Sequence, residues 1–212
     1  MRFQGLRRLL MHKHNDRMFA YPHSYAGLRR GPQVILPKDT GIIISFSGVG
    51  KDSICVDAGT GSGWLAVGLA KVCKHVYSYD LREDFLAIAE KNRAMLNLGN
   101  LTLKVGDITK GIDERDVDLA TLDMPGSEKA LASVKKALRP GGIVVGYLPH
   151  LEQVKKFVQK LNSLKFTEIY TVEVTVRDIL VRKEGVRPST KGIWHTAYLV
   201  FARKAYSIVS AA

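Results

Sequence analysis

A glycine-rich segment near residue 60 has the residue types of a ligand-binding loop. It reads Asp57-Ala58-Gly59-Thr60-Gly61-Ser62-Gly63 and lies between a predicted strand and a predicted helix. Three glycines in five residues let the backbone turn sharply and approach a ligand closely. A dinucleotide fingerprint needs a further glycine where this chain has Trp64, and the Gly-Lys-Ser/Thr of a phosphate-binding loop is missing. We therefore expect a ligand other than a diphosphate.

Polar residues follow the next two predicted strands. Asp80 ends the strand 76–79, where a carboxylate can accept hydrogen bonds from ribose hydroxyls, and Asp107 follows the strand 101–105, where a polar group can reach an adenine amino group. Each feature alone is also compatible with an ordinary strand end. Their order along the chain resembles the cofactor site of methyltransferases that use S-adenosylmethionine (SAM). The predicted SAM-binding residues are Asp57, Gly59, Thr60, Gly61, Ser62, Gly63, Asp80, Leu81, Gly106, Asp107 and Ile108.

Asp123 is the candidate catalytic residue. It begins the segment Asp123-Met124-Pro125 directly after the predicted strand 117–122, and ligands of open parallel sheets bind at such strand ends. A carboxylate beside the exocyclic amine of adenine would orient the base and stabilise the positive charge that methylation of a ring nitrogen creates. The Asn/Asp-Pro-Pro-Tyr/Phe pattern of enzymes that methylate the amine itself is missing. The alternative is a solvated aspartate before a proline turn. No metal site is predicted.

The predicted elements alternate between strands and helices, which favours an α/β doubly wound, Rossmann-like parallel sheet. Two successive strands at the end of the chain indicate that the last strand runs antiparallel. Asp39 is the expected N-cap of the second helix, and Pro140-Gly141-Gly142 is expected to end the fifth. The predicted strands are 53–56, 76–79, 101–105, 117–122, 143–148, 166–177 and 195–203. The predicted helices are 3–11, 40–47, 63–73, 82–98, 127–138 and 150–164.

The net charge of +12 over 212 residues is concentrated at the two ends of the chain. Residues 1–38 carry a net charge of +7 and residues 151–212 carry +6, whereas residues 39–150 carry −1. This distribution favours a polyanionic partner, of which nucleic acid is the commonest. The chain has no apolar run of membrane-spanning length, no secretory signal pattern and two cysteines, so we expect a cytoplasmic protein.

Several motifs in order resemble the tRNA (adenine-N1)-methyltransferases that act at position 58 of the T-loop, particularly the archaeal branch. The resemblance extends over about residues 29–204. It rests on Arg30 to Asp39 (Arg-Gly-Pro-Gln-Val-Ile-Leu-Pro-Lys-Asp), Asp57–Gly63, Asp123-Met124-Pro125, Arg187-Pro188 and His195-Thr196-Ala197-Tyr198-Leu199-Val200-Phe201-Ala202-Arg203.

The resemblance implies a fold, an activity and further site residues. The fold is a seven-stranded class I SAM-dependent methyltransferase sheet in residues 39–212. It is preceded in residues 1–38 by a short basic N-terminal segment, which is expected to be a reduced or truncated form of the RNA-binding region that similar proteins carry. The product is N1-methyladenosine at position 58 of tRNA, with the neighbouring adenine 57 as a further target in archaeal members. A homotetramer that binds the T-arm is implied. Asp123 contacts both the cofactor and the flipped adenine, Gln33 lines the cofactor pocket, and the substrate-binding residues are Arg30, Leu36, Arg187 and His195.

The shared segment departs from the family pattern at one residue, and the sequence leaves two alternative functions open. Leu36 stands where similar proteins often carry an aromatic residue or histidine, which leaves the selection between positions 57 and 58 open. The first alternative is a methyltransferase of the same fold with another substrate, such as a protein side chain or a tetrapyrrole precursor. The second is a non-catalytic RNA-binding subunit.

Overall fold

A computed structural model of the chain describes residues 25–31 and 33–206. Nine strands and five α-helices lie in these residues, and the predicted helix 3–11 lies outside them. The strands are β1 (Ile54–Ala58), β2 (His75–Asp80), β3 (Leu101–Val105), β4 (Val117–Leu122), β5 (Leu138–Leu148), β6 (Phe166–Glu173), β7 (Ile179–Arg182), β8 (Gly185–Pro188) and β9 (Tyr198–Lys204). The helices are α1 (Pro37–Ser47), α2 (Trp64–Ala70), α3 (Glu83–Met95), α4 (Leu131–Ala137) and α5 (Leu151–Ser163).

Seven strands form one sheet in the order β3-β2-β1-β4-β5-β9-β6. The first five strands of the chain pair in parallel, and β9 runs antiparallel to both β5 and β6. The predicted doubly wound sheet with an antiparallel last strand is confirmed. Because the strand order reverses between β1 and β4, the loops after these two strands diverge there, and such a switch point is where open α/β sheets bind ligands.

The core explains why the central strands are mostly apolar. Strands β1 and β4 are covered on both faces, as expected for parallel strands between helices. Helix α5 places Phe157 and Leu161 against the sheet, and α4 adds Leu131 and Val134. The rigid sheet that results fixes the positions of the loops at the carboxyl ends of its strands.

Local predictions were wrong at three places. The N-cap of α1 is Leu36 rather than Asp39, because Pro37 opens the helix at its first position, which a proline tolerates, and Asp39 falls in the first turn. Residues 138–142 join β5 instead of ending a helix, since Leu138 pairs with Val117. The predicted strand 166–177 ends at Glu173, and β7 pairs with β8 in a hairpin that the sequence pattern did not reveal.

Two compact units divide the chain: Gly27–Val174 with His195–Ala212, and Met1–Ala26 with Thr175–Trp194. The seven-stranded sheet lies in the first unit, and the described part of the second unit contains the β7–β8 hairpin. Within this hairpin unit, the Arg177 guanidinium lies 5.3 Å from the centroid of the Trp194 ring. Over the residues that the structure describes, no helix combines the length and apolar character needed to cross a membrane.

Candidate active site

The loops after β1 and β4 meet at the switch point of the sheet. The Asp123 amide donates a hydrogen bond of 2.8 Å to the Ala58 carbonyl, which fixes the start of one loop against the end of the other strand. Gly59 has φ +88°, and a Cβ at this residue would overlap the Asp123 carbonyl oxygen. Only glycine combines this conformation with so close an approach of two backbones.

Asp80, at the end of β2, holds the glycine loop from its other side. Its Oδ2 accepts a hydrogen bond of 2.9 Å from the Gly61 amide, and its Oδ1 accepts one of 3.0 Å from the Arg82 amide. Gly63 caps α2 with φ +79°, and a Cβ there would lie 3.0 Å from the Ala89 Cβ. An ionised carboxylate has about four acceptor positions, so Asp80 retains capacity for a ligand's hydroxyl groups.

Asp57 lies beneath the loop and is not part of the walls of the cavities described below. Its two carboxylate oxygens accept hydrogen bonds from the Ser78 hydroxyl at 2.6 Å and the Thr121 hydroxyl at 2.7 Å. The Thr60 hydroxyl lies 2.7 Å from that of Ser78 and so joins the same buried group. Burial raises the pKa of Asp57, and its two hydroxyl donors act in the opposite direction. The side chain thus ties β1, β2 and β4 together below the loop.

Two adjoining cavities open at the carboxyl edge of the sheet, with volumes of about 430 and 330 Å³. Their shared wall consists of Gly59, Asp80, Arg82, Asp123, Met124 and Pro125. The larger cavity is also lined by Ala58, Tyr79, Leu81, Gly106, Asp107 and Ile108. The smaller is also lined by Gln33, Gly61, Phe85, Tyr147, Leu148, Pro149 and Gln153.

A narrow recess of about 30 Å³ runs along the glycine loop. It is lined by Gln33, Val34, Ile35, Gly59, Thr60, Gly61, Ser62, Trp64, Leu65 and Asp123. The buried Ser62 hydroxyl has no hydrogen-bond partner among the described residues. A buried polar atom left without a partner costs free energy, so this hydroxyl suits a polar ligand group in the recess.

The segment that carries Gln33 is attached to the loop through the buried Asn92 of α3. The Asn92 amide nitrogen donates to the carbonyls of Arg29 (2.9 Å) and Ser62 (2.8 Å), and its oxygen accepts from the Arg29 amide at 2.8 Å. The Trp64 indole also donates to the Arg29 carbonyl. The Arg30 guanidinium lies 5.9 Å from the centroid of the Trp64 ring. The predicted Gln33 therefore reaches the cavities, and Arg30 lies over the indole instead.

Asp123 lies in a strongly negative environment. Burial raises the pKa of its carboxyl to about 7, and the charges of Asp57 and Asp80 add to the shift. These causes disfavour a negative charge at Asp123, so a positive charge brought close to it would be stabilised. The Asp107 carboxylate is more exposed than that of Asp80. Its Oδ1 accepts hydrogen bonds from the Thr109 hydroxyl (2.6 Å) and the Thr109 amide (2.9 Å), which lower the pKa of Asp107.

The other predicted substrate-binding residues take three different positions. The Leu36 side chain is 3% exposed and is not part of the cavity walls described above. His195 bridges the Glu173 carboxylate at 2.6 Å and the Pro149 carbonyl at 2.9 Å, and the Glu173 carboxylate is the main cause of its raised pKa. Because both partners are acceptors, both ring nitrogens must donate, which the imidazolium form does. Arg187 lies on β8 in the hairpin unit.

Sequence reasoning missed the wall of the smaller cavity. Tyr147 lies near the end of β5 and lines the same cavity as Asp123, and Gln153 reaches it from α5. Phe85 also lines it, with the Arg82 guanidinium 3.6 Å from its ring centroid. Position in the sequence could have predicted Tyr147, because it lies near the carboxyl end of a strand just as Asp80 and Asp123 do.

The sequence is similar to those of known tRNA methyltransferases. The family model described as the tRNA methyltransferase complex GCD14 subunit matches residues 26–193. The tRNA (adenine(57)-N(1)/adenine(58)-N(1))-methyltransferase TrmI of Methanocaldococcus jannaschii is 36% identical over 208 residues, covering 83% of this chain and 73% of its own.

Two solved structures are also similar to this chain. A SAM-dependent O-methyltransferase from Thermotoga maritima has a TM-score of 0.80 and 33% identity, covering 84% of this chain and 68% of its own. The tRNA (m1A58) methyltransferase TrmI from Aquifex aeolicus has a TM-score of 0.79 and 31% identity, covering 85% of this chain and 74% of its own. With its family model matched over most of the described residues, the chain belongs to the family of the tRNA methyltransferase complex GCD14 subunit.

Proposed function

We propose that this protein is a SAM-dependent methyltransferase that forms N1-methyladenosine at position 58 of the tRNA T-loop, with adenine 57 as a further target. The observation that carries the proposal is the position of Asp123 in the wall shared by the two cavities. A cofactor in one cavity and a base in the other would meet at this carboxylate. The Methanocaldococcus jannaschii relative acts on N1 of adenines 57 and 58, which supports the same nucleobase and positions.

The residues around the larger cavity fit SAM. Asp80 has acceptor capacity for the ribose hydroxyls, and Leu81, Gly106, Asp107 and Ile108 surround the place proposed for the adenine moiety. The amino-acid end, which carries an ammonium and a carboxylate, suits the recess at Gln33, Thr60, Gly61 and the unpartnered Ser62 hydroxyl. Asp57 would act beneath the loop as a support. Gly59 and Gly63 would supply backbone shape and close packing.

Asp123 has two tasks in the proposed reaction. Bound in the larger cavity, SAM would supply the methyl group from its sulfonium, and transfer to N1 of adenine would leave the positive charge on the base. The Asp123 carboxylate accepts a hydrogen bond from the exocyclic amine, which turns N1 toward the cofactor cavity. Its negative charge then stabilises the cationic product, and the effect is strong because the site is largely removed from water.

The substrate RNA must present a base that is buried in its own folded loop. Extruding a stacked base costs a few kcal/mol, which phosphate contacts elsewhere can offset. We infer that the basic residues, including the segment 1–38 with Arg30 and the hairpin residue Arg187, supply such contacts to the T-arm. His195 would support the substrate cavity through Pro149, and Leu36 would do so from the interior. The resemblance supports a homotetramer that acts in the cytoplasm.

The test is a methylation assay with labelled SAM and an unmodified tRNA transcript, followed by digestion to nucleosides. We expect N1-methyladenosine at position 58, with or without position 57. The isosteric variant Asp123→Asn removes the charge and should lower kcat by about 100-fold or more while the cofactor still binds. Asp113→Asn is the matched control, because that side chain is 90% exposed and does not line the cavities.

Two results would contradict the proposal. If the protein binds SAM and leaves the transcript unmethylated, the substrate assignment is wrong. If Asp123→Asn retains the parental kcat, the assignment of Asp123 is wrong even where the product is N1-methyladenosine.

A further inference from the structure

A buried ion pair lies at the start of α1. Lys38 and Asp39, adjacent in the first turn of α1, are 6% and 0% exposed. The three ammonium protons of Lys38 go to Asp39 Oδ1 at 2.7 Å, the Val174 carbonyl at 2.7 Å and the Thr196 hydroxyl at 2.8 Å. The Thr196 hydroxyl donates in turn to Asp39 Oδ2 at 3.0 Å. These residues join the start of α1 to the segments that follow β6 and precede β9.

Tyr147 connects this ion pair to the site. Its phenol lies near Thr196 and Asp39, which both perturb its pKa, and its side chain lines the cavity that Asp123 also lines. Burial and the charge of Asp39 raise the pKa of the phenol, so it keeps its proton at neutral pH. The phenol is therefore not a base toward a ligand at that pH.

Stability alone does not explain the arrangement. Desolvating two charges costs several kcal/mol per ion, and a buried pair is often no more stable than apolar residues of the same volume. What a fully hydrogen-bonded charged group does provide is a defined geometry. Here the cavity-lining side chain next to the group is Tyr147.

We propose that Lys38, Asp39 and Thr196 are positioning residues that hold the Tyr147 ring in place as the wall against which the target base lies. This inference rests on the proposed function, since it assigns the base to the cavity that Asp123 lines. It also gives the Pro-Lys-Asp and His-Thr segments one common role, because they contribute Lys38, Asp39 and Thr196 to the same hydrogen-bonded group.

A double-mutant cycle on kcat tests the proposal. Tyr147→Phe removes the hydroxyl through which the group would act, and Thr196→Val removes the uncharged member of the group at nearly constant volume. If both act by releasing the ring, each variant and the double variant should lose about tenfold in kcat, whereas independent effects would multiply to about 100-fold. The KM for tRNA and the Kd for SAM should stay within about twofold, since phosphate contacts dominate RNA binding.

Two further variants separate positioning from general damage. Thr196→Ser restores the hydroxyl and should recover kcat to within about threefold of the parent. Thr102→Val makes the same change on β3, where the hydroxyl lies 2.9 Å from His75 Nε2 and away from the cavities, and should leave kcat unchanged. Losses that multiply in the double variant, or full activity in Thr196→Val, would overturn the proposal.

A second measurement does not depend on catalysis. The protein contains eight tyrosines, and after uniform 3-fluorotyrosine labelling the fluorine resonance missing from Tyr147→Phe belongs to Tyr147. We expect this resonance to shift in Thr196→Val and in Asp39→Asn, and to stay in place in Thr102→Val. An unchanged resonance would overturn the proposal. If the parent methylates no tRNA, the proposed function fails, and the resonance still decides whether the group holds Tyr147.

Discussion

The Asp123 carboxyl is surrounded by groups that oppose its ionisation. Asp57 and Asp80 contribute negative charge, and protein atoms displace water on most sides, which together raise its pKa to about 7. Near neutral pH the free protein is therefore a mixture of protonated and ionised Asp123. A cationic sulfonium near the carboxylate would favour its ionisation. The negative surroundings that destabilise ionised Asp123 in the free protein would therefore favour binding of the cationic cofactor.

The raised pKa of Asp123 predicts that Asp123→Asn increases the free energy of unfolding by an amount that depends on pH. The folded pKa of about 7 lies above the unfolded value of about 3.9, so the parent loses stability as pH rises from about 4 to 7 and no further above that. The full shift corresponds to about 4 kcal/mol, and with the carboxyl at an open cavity we expect a gain of about 1–3 kcal/mol at pH 8.

Urea unfolding of parent and variant at pH 5, 6, 7 and 8 measures the effect. The difference in the free energy of unfolding should grow between pH 5 and 7 and level off above 7. The exposed control Asp113→Asn should stay within about 0.5 kcal/mol of the parent throughout. Equal stabilities of Asp123→Asn and the parent at pH 8 would show that ionisation of Asp123 does not destabilise the folded protein.

The residues that the sequence could identify are those whose role follows from a strand end. Gly59, Asp80 and Asp123 each follow or end a strand, and the structure places all three in the wall of the cavities. Tyr147 also lies near the carboxyl end of a strand. Because tyrosines are common in protein cores, this position alone did not distinguish a cavity-lining residue from a core residue. The pairing of Lys38 with Thr196 spans 158 positions, and no local pattern encodes such a contact.

At the scale of elements, hydrophobic periodicity predicted the sheet and most of its helices. The bounds of β3 and β4 match the prediction, because turn residues delimit both short apolar runs. The prediction failed at residues 138–142, where pairing with β4 overrides the turn propensity of Pro140 and Gly141. It also failed in the β7–β8 hairpin, whose strands are four residues each and carry arginines that interrupt the alternation.

The loop between β1 and α2 gives a prediction at this scale, because its glycines differ in what surrounds them. A Cβ at Gly59 would overlap the Asp123 carbonyl, so Gly59→Ala must displace the end of β4 and should cost about 3–5 kcal/mol. Gly61 has φ +51° with only the Gly59 carbonyl nearby, at 3.9 Å, so Gly61→Ala should cost about 1 kcal/mol for the left-handed backbone alone.

Chemical denaturation of the two alanine variants compares these costs directly. Gly61→Ala serves as the matched control, since both residues have positive φ in the same loop. Equal losses of stability would mean that the close approach of the β1 and β4 loops is not what requires glycine at position 59.

Over the whole sequence, positive charge is concentrated in the segments that flank a near-neutral central part. The central residues 39–150 carry a net charge of −1, while the flanking parts of the sequence carry the excess that gives +12. Helix α5 begins at the cavity edge, where it contributes Gln153, and continues with the exposed Lys155 and Lys156. An RNA whose base enters the cavity would therefore meet these lysines next.

This arrangement predicts a steep and localised salt dependence of tRNA binding. With four to six phosphates neutralised, the affinity should fall about 10²- to 10³-fold between 50 and 200 mM salt. Replacing Lys155 and Lys156 by glutamine should reduce the slope of log K against log salt by about 2. The matched pair is Lys51→Gln with Lys74→Gln, an equal change of charge at exposed lysines that precede β1 and β2, at the sheet edge opposite the cavities. Fluorescence anisotropy of labelled tRNA measures both slopes, and an equal reduction by the two pairs would mean that net charge, and not the position of α5, governs RNA binding.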